Sequence, residues 1–233
     1  MTFSLAARCS DTGMFGVAIS SSSPAVAARC SYARAGVGAV ASQNITDPRL
    51  GPLVLDALSE LASKDVEERP DNASLALSSV IDNREYQDYR QVLVVDAHGH
   101  AVVHSGRQAL GNWSSATADN VASGGNLLEH VGVPQAIVDA FVQSHGHLGD
   151  RLIHALKAGL ESGGEAGPVH SAGLLLVDQV SWPVADLRCD WSEQCPIAEL
   201  ESLWNIYKPQ LADYVQRALN PGDAPSYGVP GDD

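Results

Sequence analysis

The chain of 233 residues carries 14 Lys plus Arg against 28 Asp plus Glu, and its formal charge of −14 repels phosphate backbones and anionic lipid, which argues against nucleic acid and membrane surfaces as partners. With 45% hydrophobic and 18% charged residues it has the material for a buried core and does not resemble a disordered chain. No stretch approaches the roughly 18 apolar residues of a membrane span, and the first eight residues lack a basic leader ahead of an apolar run, so a cytoplasmic protein is expected. Length and the lack of an internal linker suggest one domain over residues 1–219, followed by a Pro/Gly/Asp-rich tail over 220–233.

In chain order, Phe3 and Leu5 alternate with Ser4, and Phe15, Val17 and Ile19 alternate with small residues. Ser10-Asp11-Thr12-Gly13 supplies turn chemistry between them, so the chain opens on a β-hairpin. Residues 36–42 form a small-residue strand suited to close backbone packing. Asp47-Pro48 then reads as an N-cap with Pro at the first helical position, and Leu53, Ala57, Leu58 and Leu61 form an apolar stripe.

A second helix is expected near 73–82, and 90–96 with 101–105 makes a hairpin around Ala97-His98-Gly99-His100. Helices follow at 134–144 and 148–162, the latter with Leu148, Leu152, Leu156 and Leu160 every four residues and Gly163-Gly164 at its end. Strands return at 171–178 and 184–189. The last helix starts at Pro196, and Pro209 interrupts it before Leu211, Tyr214, Val215 and Leu219. The order is neither a strict βαβ alternation nor all-β, and it fits an α+β fold with two sheets between helical layers.

Several segments carry a broader likeness: Thr2-Phe3-Ser4, residues 33–43, Asp47-Pro48-Arg49-Leu50-Gly51, Val94-Val95-Asp96 leading to His104-Ser105-Gly106, Gly125-Asn126-Leu127-Leu128, Arg151-Leu152, Ser171-Ala172 and Pro196-Ile197-Ala198-Glu199-Leu200. Together they resemble the domain of unknown function 1028 family over most of residues 2–207. That family is grouped with the N-terminal nucleophile (Ntn) hydrolases. The resemblance therefore implies a four-layer αββα sandwich of the Ntn-hydrolase type and hydrolysis of an amide or other C–N bond. Where relatives carry an acidic-basic Gly-rich run before Ser171, this chain has Gly164-Glu165-Ala166-Gly167-Pro168-Val169-His170 and lacks the basic residue.

The chemistry follows from that fold. If Met1 is removed, Thr2 presents a β-hydroxyl beside an α-amine whose ordinary pKa of about 7.7–8.0 leaves a neutral fraction near pH 7, so one residue holds nucleophile and base. Asn126, after two permissive glycines, is the candidate oxyanion donor. Arg34, Gln43 and Ser171 are candidates to position a polar or carboxylate substrate, with a structural ion pair the competing role for Arg34.

No G-x-S-x-G elbow frames the Ser20–Ser23 run, and no phosphate-binding Gly-rich loop occurs, so no cofactor is expected. Cys9, Cys30, Cys189 and Cys195 contain no C-x-x-C and are expected as free thiols. His98, His100 and His104 share parity and could build a metal site, but surface histidines are the default and no metal is assigned. The reading is a hydrolase acting on a small-molecule or peptide substrate. The alternatives are a non-catalytic binding module on the same scaffold and a metal-dependent hydrolase on the His-rich hairpin. The aromatic C-terminal helix and the tail suggest a homo-oligomer.

Overall fold

Among the described residues, backbone pairing sorts ten strands into two antiparallel sheets. The computed structural model describes residues 1–63 and 71–229. One sheet has the order β10-β9-β2-β1-β8-β7, built from β1 (Thr2–Arg8), β2 (Phe15–Ser21), β7 (Ser114–Ala118), β8 (Val121–Asn126), β9 (Ser171–Val177) and β10 (Ala185–Cys189). The other has the order β3-β4-β5-β6, built from β3 (Ser31–Arg34), β4 (Gly38–Asn44), β5 (Arg90–Asp96) and β6 (Ala101–Ser105). The short helix α1 (Ala27–Cys30) joins β2 to β3.

Because successive strand residues point to opposite faces, each central strand has two apolar sets. In β1, Phe3, Leu5 and Ala7 pack with Val121, Ala172 and Leu174 against α4 (Val133–Gln143), α5 (Leu148–Glu161) and α6 (Pro196–Tyr207). In the second sheet, Val40, Val92 and Val94 pack against α2 (Leu50–Ala62) and α3 (Asn72–Ile81). The opposite parities meet each other: Ala6, Phe15, Val17, Ala122 and Val177 from one sheet join Ala39, Ala41, Leu93 and Val95 from the other. Small residues let the backbones approach, as the composition of residues 36–42 suggested.

The expected hairpins and helices recur within one or two residues, and three differences have local causes. Helix α2 starts at Leu50, not Pro48, because the Asp47 carboxylate accepts the Arg49 backbone N–H at 3.1 Å and closes a turn first. Its buried face is accordingly Leu50, Val54, Leu55 and Leu58, with Leu53 exposed. Strands β3, β7 and β8 were not anticipated: Ser-Ser-Ala-Thr-Ala and Val-Ala-Ser-Gly-Gly-Asn have few β-formers, and pairing with β1 makes β8 a strand. Pro209 falls in a 3-10 turn (Lys208–Gln210) before α7 (Leu211–Leu219), as its missing N–H requires.

The tail is held by its own chain as far as it is described. Arg217 donates to the carbonyls of Pro225 and Ser226 at 3.1 Å each and lies 3.9 Å from the Tyr227 ring centroid. Residues 230–233 of the proposed tail lie outside the described residues. Among the described residues no helix is long and apolar enough to cross a membrane.

Gly16 shows how closely β2 meets its helical cover. A Cβ there would lie 2.6 Å from Leu152 Cδ1, 2.7 Å from Leu176 Cδ2 and 2.9 Å from the Leu175 carbonyl. Gly16→Ala should therefore cost about 1–3 kcal/mol through overpacking, read as a lower urea midpoint with an unchanged m-value; an unchanged midpoint would contradict this packing.

Candidate functional site

The parity that makes the layer between the sheets apolar at one end makes it polar at the other. Thr2 and Ser4 share the inward parity of Ala6, and Ser21 shares that of Phe15 and Val17. Asn126 and Ser171 follow the same rule on β8 and β9, as Gln43 and Gln91 do on β4 and β5. All seven are buried.

Register aligns four of these residues in one row across four adjacent strands. Ser171 is paired with Ser21, and Thr2 with Asn126. The Thr2 and Ser21 hydroxyl oxygens are 3.3 Å apart. Cross-strand neighbours on one face have Cβ atoms about 4.5–5.5 Å apart, so Ser171, Ser21, Thr2 and Asn126 form a contiguous polar strip. The hydroxyls of Thr2 and Ser21 both donate to the Met1 carbonyl oxygen. Ser21 Oγ also accepts the Ser23 N–H at 3.1 Å, which helps to direct its proton towards that carbonyl. Ser171 donates to the Ser23 carbonyl at 2.6 Å and accepts the Val26 N–H at 3.3 Å, so it braces the turn after β2.

Two residues deeper, amides tie the sheets together. Ser4 donates to Gln43 Oε1 at 2.6 Å, and Gln43 Nε2 donates to Gln91 Oε1 at 2.8 Å and to the Gly124 carbonyl at 3.1 Å. Gln91 Nε2 lies within hydrogen-bond distance of Ser105 Oγ at 3.0 Å and the carbonyls of Ser114 and Gly125 at 3.3 and 3.2 Å. Asn126 Nδ2 donates to Gln91 Oε1 at 3.3 Å. Gln43 is thus a strut beneath the row, only 1% exposed.

Arg34 stands apart. It is paired with Gly38, at the end of β4 away from Gln43, about 17 Å along the strand at 3.3 Å per residue. Its guanidinium bonds Asp56 at 2.7 Å and the Leu55 carbonyl at 3.4 Å, the ion-pair role. Three of the five sequence candidates, Thr2, Asn126 and Ser171, therefore come together, Gln43 supports them from below, and Arg34 is remote.

Reading the sequence alone missed Ser21, Gln91, Glu165 and His170. Ser21 was legible: in a hairpin that pairs Phe3 with Ser20, the residue after Ser20 stands beside Thr2. Glu165 carried no signal, because a loop holds it. Both its carboxylate oxygens lie 3.1 Å from the Ser22 backbone nitrogen, and the residue is only 4% exposed. Burial pushes its carboxyl up to about 7, against the N-terminal ammonium, the Ser22 hydrogen bonds and His170, which all pull it down. His170 donates its N–H to the Ser21 carbonyl at 2.8 Å and stacks on Trp191 with ring centroids 4.3 Å apart. Cys30, also under the influence of the N-terminal ammonium, is pushed up to about 11 by burial and is a poor nucleophile.

The His-rich hairpin has a structural use. Asp96 accepts the backbone N–H groups of Ala73, His98 and His100 at 3.2, 2.8 and 2.9 Å, and the His100 ring lies 3.0 Å away. His104 Nε2 instead meets the Gln87 carbonyl at 3.0 Å. Ligand atoms of Asp71, Asp96 and His100 lie within 4.8 Å of one another, but Asp71 caps α3 through Ser74 and Asp96 is saturated with donors.

Residues 2–200 match the model described as "Family of unknown function (DUF1028)". The chain belongs to the DUF1028 family. A crystal structure of a Silicibacter pomeroyi protein assigned to the same family is similar at 27% identity, covering 93% of this chain and 90% of that one, with a TM-score of 0.81. Anbu from Hyphomicrobium sp. strain MC1 aligns over 92% of this chain and 98% of its own at 10% identity and a TM-score of 0.41. Anbu (ancestral beta-subunit) from Yersinia bercovieri aligns over 92% and 97% at 12% identity and 0.37. Those two scores are too low to carry an argument about this DUF1028 protein. No curated protein matches it.

Two measurements follow from the geometry. Asp96→Ala strands the buried Ala73 N–H and frees the more exposed N–H groups of His98 and His100 to water, and should cost about 1–3 kcal/mol, the penalty of one unpaired buried group. Denaturation with and without added zinc should give the same midpoint in the unmodified protein, and a zinc-dependent rise would restore the metal reading. Glu165, with a folded pKa of about 7 against an ordinary 4.5, keeps its proton where the unfolded chain releases it, so its contribution to stability falls as pH rises between those values. The melting temperature of Glu165→Gln minus that of the unmodified protein should grow across that window and level off above it; a difference independent of pH would refute the raised pKa.

Proposed function

We propose that the chain is an amidohydrolase of the N-terminal nucleophile type, built as an αββα sandwich, in which removal of Met1 leaves Thr2 as nucleophile and base. The observation that carries this reading is the strip Ser171, Ser21, Thr2 and Asn126, in which the Thr2 and Ser21 hydroxyls already hold a carbonyl oxygen, that of Met1. In the reaction, Thr2 Oγ1 attacks the carbonyl carbon of a small amide or peptide while the Thr2 amine takes its proton. The substrate's acyl carbon becomes esterified to Oγ1 as its C–N bond breaks, and the amine returns the proton to the departing nitrogen. Water, deprotonated by the same amine, then cleaves the ester and regenerates Thr2.

Ser21 and Asn126 are the nearest donors for the developing oxyanion. Asn126 uses one N–H on Gln91 and its amide has a second. Removal of one such donor typically lowers the rate about 100- to 1,000-fold. Arg34 takes no part, and Gln43 acts through Ser4 and Gln91 by keeping the strip in place.

The Thr2 hydroxyl bonded to the Met1 carbonyl, with no free amine beside it while Met1 is present, favours a second reading: a binding module on the same scaffold. The two are separated by Thr2→Ala in protein lacking Met1. Loss of the hydrolysis of any amide that the unmodified protein cleaves supports the nucleophile, and retention of that hydrolysis rejects it.

A further inference from the structure

Beyond Ser21 the hydrogen bonds of the site continue away from Thr2 into the turn after β2. Ser23 Oγ lies 2.8 Å from Ser21 Oγ, and Arg29 Nη2 donates to Ser23 Oγ at 2.9 Å. Three side chains, those of Arg29, Ser23 and Ser21, thus connect a guanidinium to the Met1 carbonyl oxygen.

The direction of every bond in this line follows from proton counting. A hydroxyl has one proton and two lone pairs. A carbonyl oxygen only accepts, so the Ser21 proton goes to Met1. A guanidinium only donates, so Ser23 Oγ accepts from Arg29 and its own proton is left for Ser21 Oγ. Ser21 Oγ also accepts the Ser23 backbone N–H at 3.1 Å, which fills both of its lone pairs. Ser21 is therefore a donor without a free lone pair, fit to hold an oxyanion and unfit to act as nucleophile or base.

The cation at the head of the line is held in place. Arg29 is partly buried, and its Nη1 donates to the carbonyls of Pro24 and Ala25 at 2.6 and 2.9 Å. The turn that brings it back over Ser23 sets Ala25 at φ 51°, a left-handed conformation that residues other than Gly seldom adopt. The Ala25 N–H is pinned by the Asp190 carbonyl at 2.9 Å, and Ser171 holds the Ser23 carbonyl. In a chain of formal charge −14, Arg29 forms no ion pair with a carboxylate among the described residues.

We infer that Arg29 is a positioning residue for the oxyanion: through Ser23 it orients the Ser21 hydroxyl at the carbonyl oxygen and strengthens it as a donor, because hydrogen bonds in series polarise one another. With Met1 present that oxygen is Met1's own. In the chain beginning at Thr2 it is the substrate's, and for that half the inference rests on the Thr2 reading. Attack by Thr2 places negative charge on this oxygen, and the line couples that charge to the guanidinium.

The line is tested on the full-length chain with Met1 in place, labelled with carbon-13 at the Met carbonyl and nitrogen-15 in Thr. Met14 precedes Phe15, so Met1 and Thr2 share the only Met–Thr peptide bond and give a single carbonyl resonance. Ser21→Ala should move that resonance upfield by loss of one donor. Arg29→Gln and Ser23→Ala should each move it the same way by about 10–30% of that amount, the strengthening expected of one bond in a chain. In the Ser23→Ala background Arg29→Gln should add nothing, since residues acting in series are not additive. Ser23→Ala also leaves the Arg29 bonds to Pro24 and Ala25 in place, so it tests the line whether or not Arg29→Gln folds. A resonance that Ser23→Ala leaves unmoved, or an Arg29→Gln shift that persists without the Ser23 hydroxyl, would overturn the line.

Its use in catalysis is read in the chain lacking Met1 with β-butyrolactone. The ring C–O bond opens as the acyl carbon is esterified to Thr2 Oγ1, and the Thr2 proton passes through the amine to the released alkoxide. Followed by intact mass, this acylation should slow about tenfold in Arg29→Gln with the half-saturating concentration unchanged, a part of the roughly 100- to 1,000-fold that a whole donor supplies. An unchanged rate in Arg29→Gln would overturn the role of Arg29 and leave the nucleophile standing. An unmodified chain that is never acylated at Thr2 would reject the hydrolase reading, while the carbonyl shifts still decide the line.

Discussion

The structure depends most on the amide of Gln91. It receives Gln43 and Asn126 on its oxygen and reaches Ser105, Ser114 and Gly125 with its nitrogen. One side chain thus links β4, β5, β6, β7 and β8, the two sheets included. The apolar end of the layer between them needs only close packing of Ala, Val, Leu and Phe. The polar end holds amides and hydroxyls, each of which costs about 1–3 kcal/mol if buried without a partner. Leaving any one of them unpaired would offset much of a typical net stability, so the network must be satisfied as a unit.

That constraint explains where chemistry is available. Gln43, Ser4 and Gln91 are saturated and form the floor. Two residues further along β1, the hydroxyl of Thr2 and that of its neighbour Ser21 turn to the Met1 carbonyl. The candidate site is therefore the edge of the polar layer, where its hydroxyls meet the Met1 carbonyl. Glu165 stands at the same edge: burial raises its pKa, and the N-terminal ammonium, the Ser22 hydrogen bonds and His170 pull it down. Arg34 meets none of this, because it lies at the other end of β4 and is neutralised by Asp56.

Much of the architecture was legible from periodicity. Alternation in residues 3–8 and 15–21 marked the first hairpin, the four-residue spacing of Leu148, Leu152, Leu156 and Leu160 marked α5, and Pro209 marked the break between α6 and α7. Thr2, Asn126 and Ser171 were legible as site candidates through their residue chemistry and the family resemblance. Residues 114–118 and 121–126 were not legible as strands, since Ser, Ala and Gly have low strand preference and their backbones gain it from neighbours.

What the sequence by itself determined was the identity of the elements and the two-faced character of each strand, because those follow from the local 2.0 and 3.6 periods. Which faces meet was decided only by the tertiary structure. Pairing Ser171 with Ser21 and Thr2 with Asn126, setting Gln43 on Gln91 and bringing Glu165 to Ser22 across 143 residues are matters of register and sheet packing. Those terms act between residues far apart in the chain, so no local pattern encodes them.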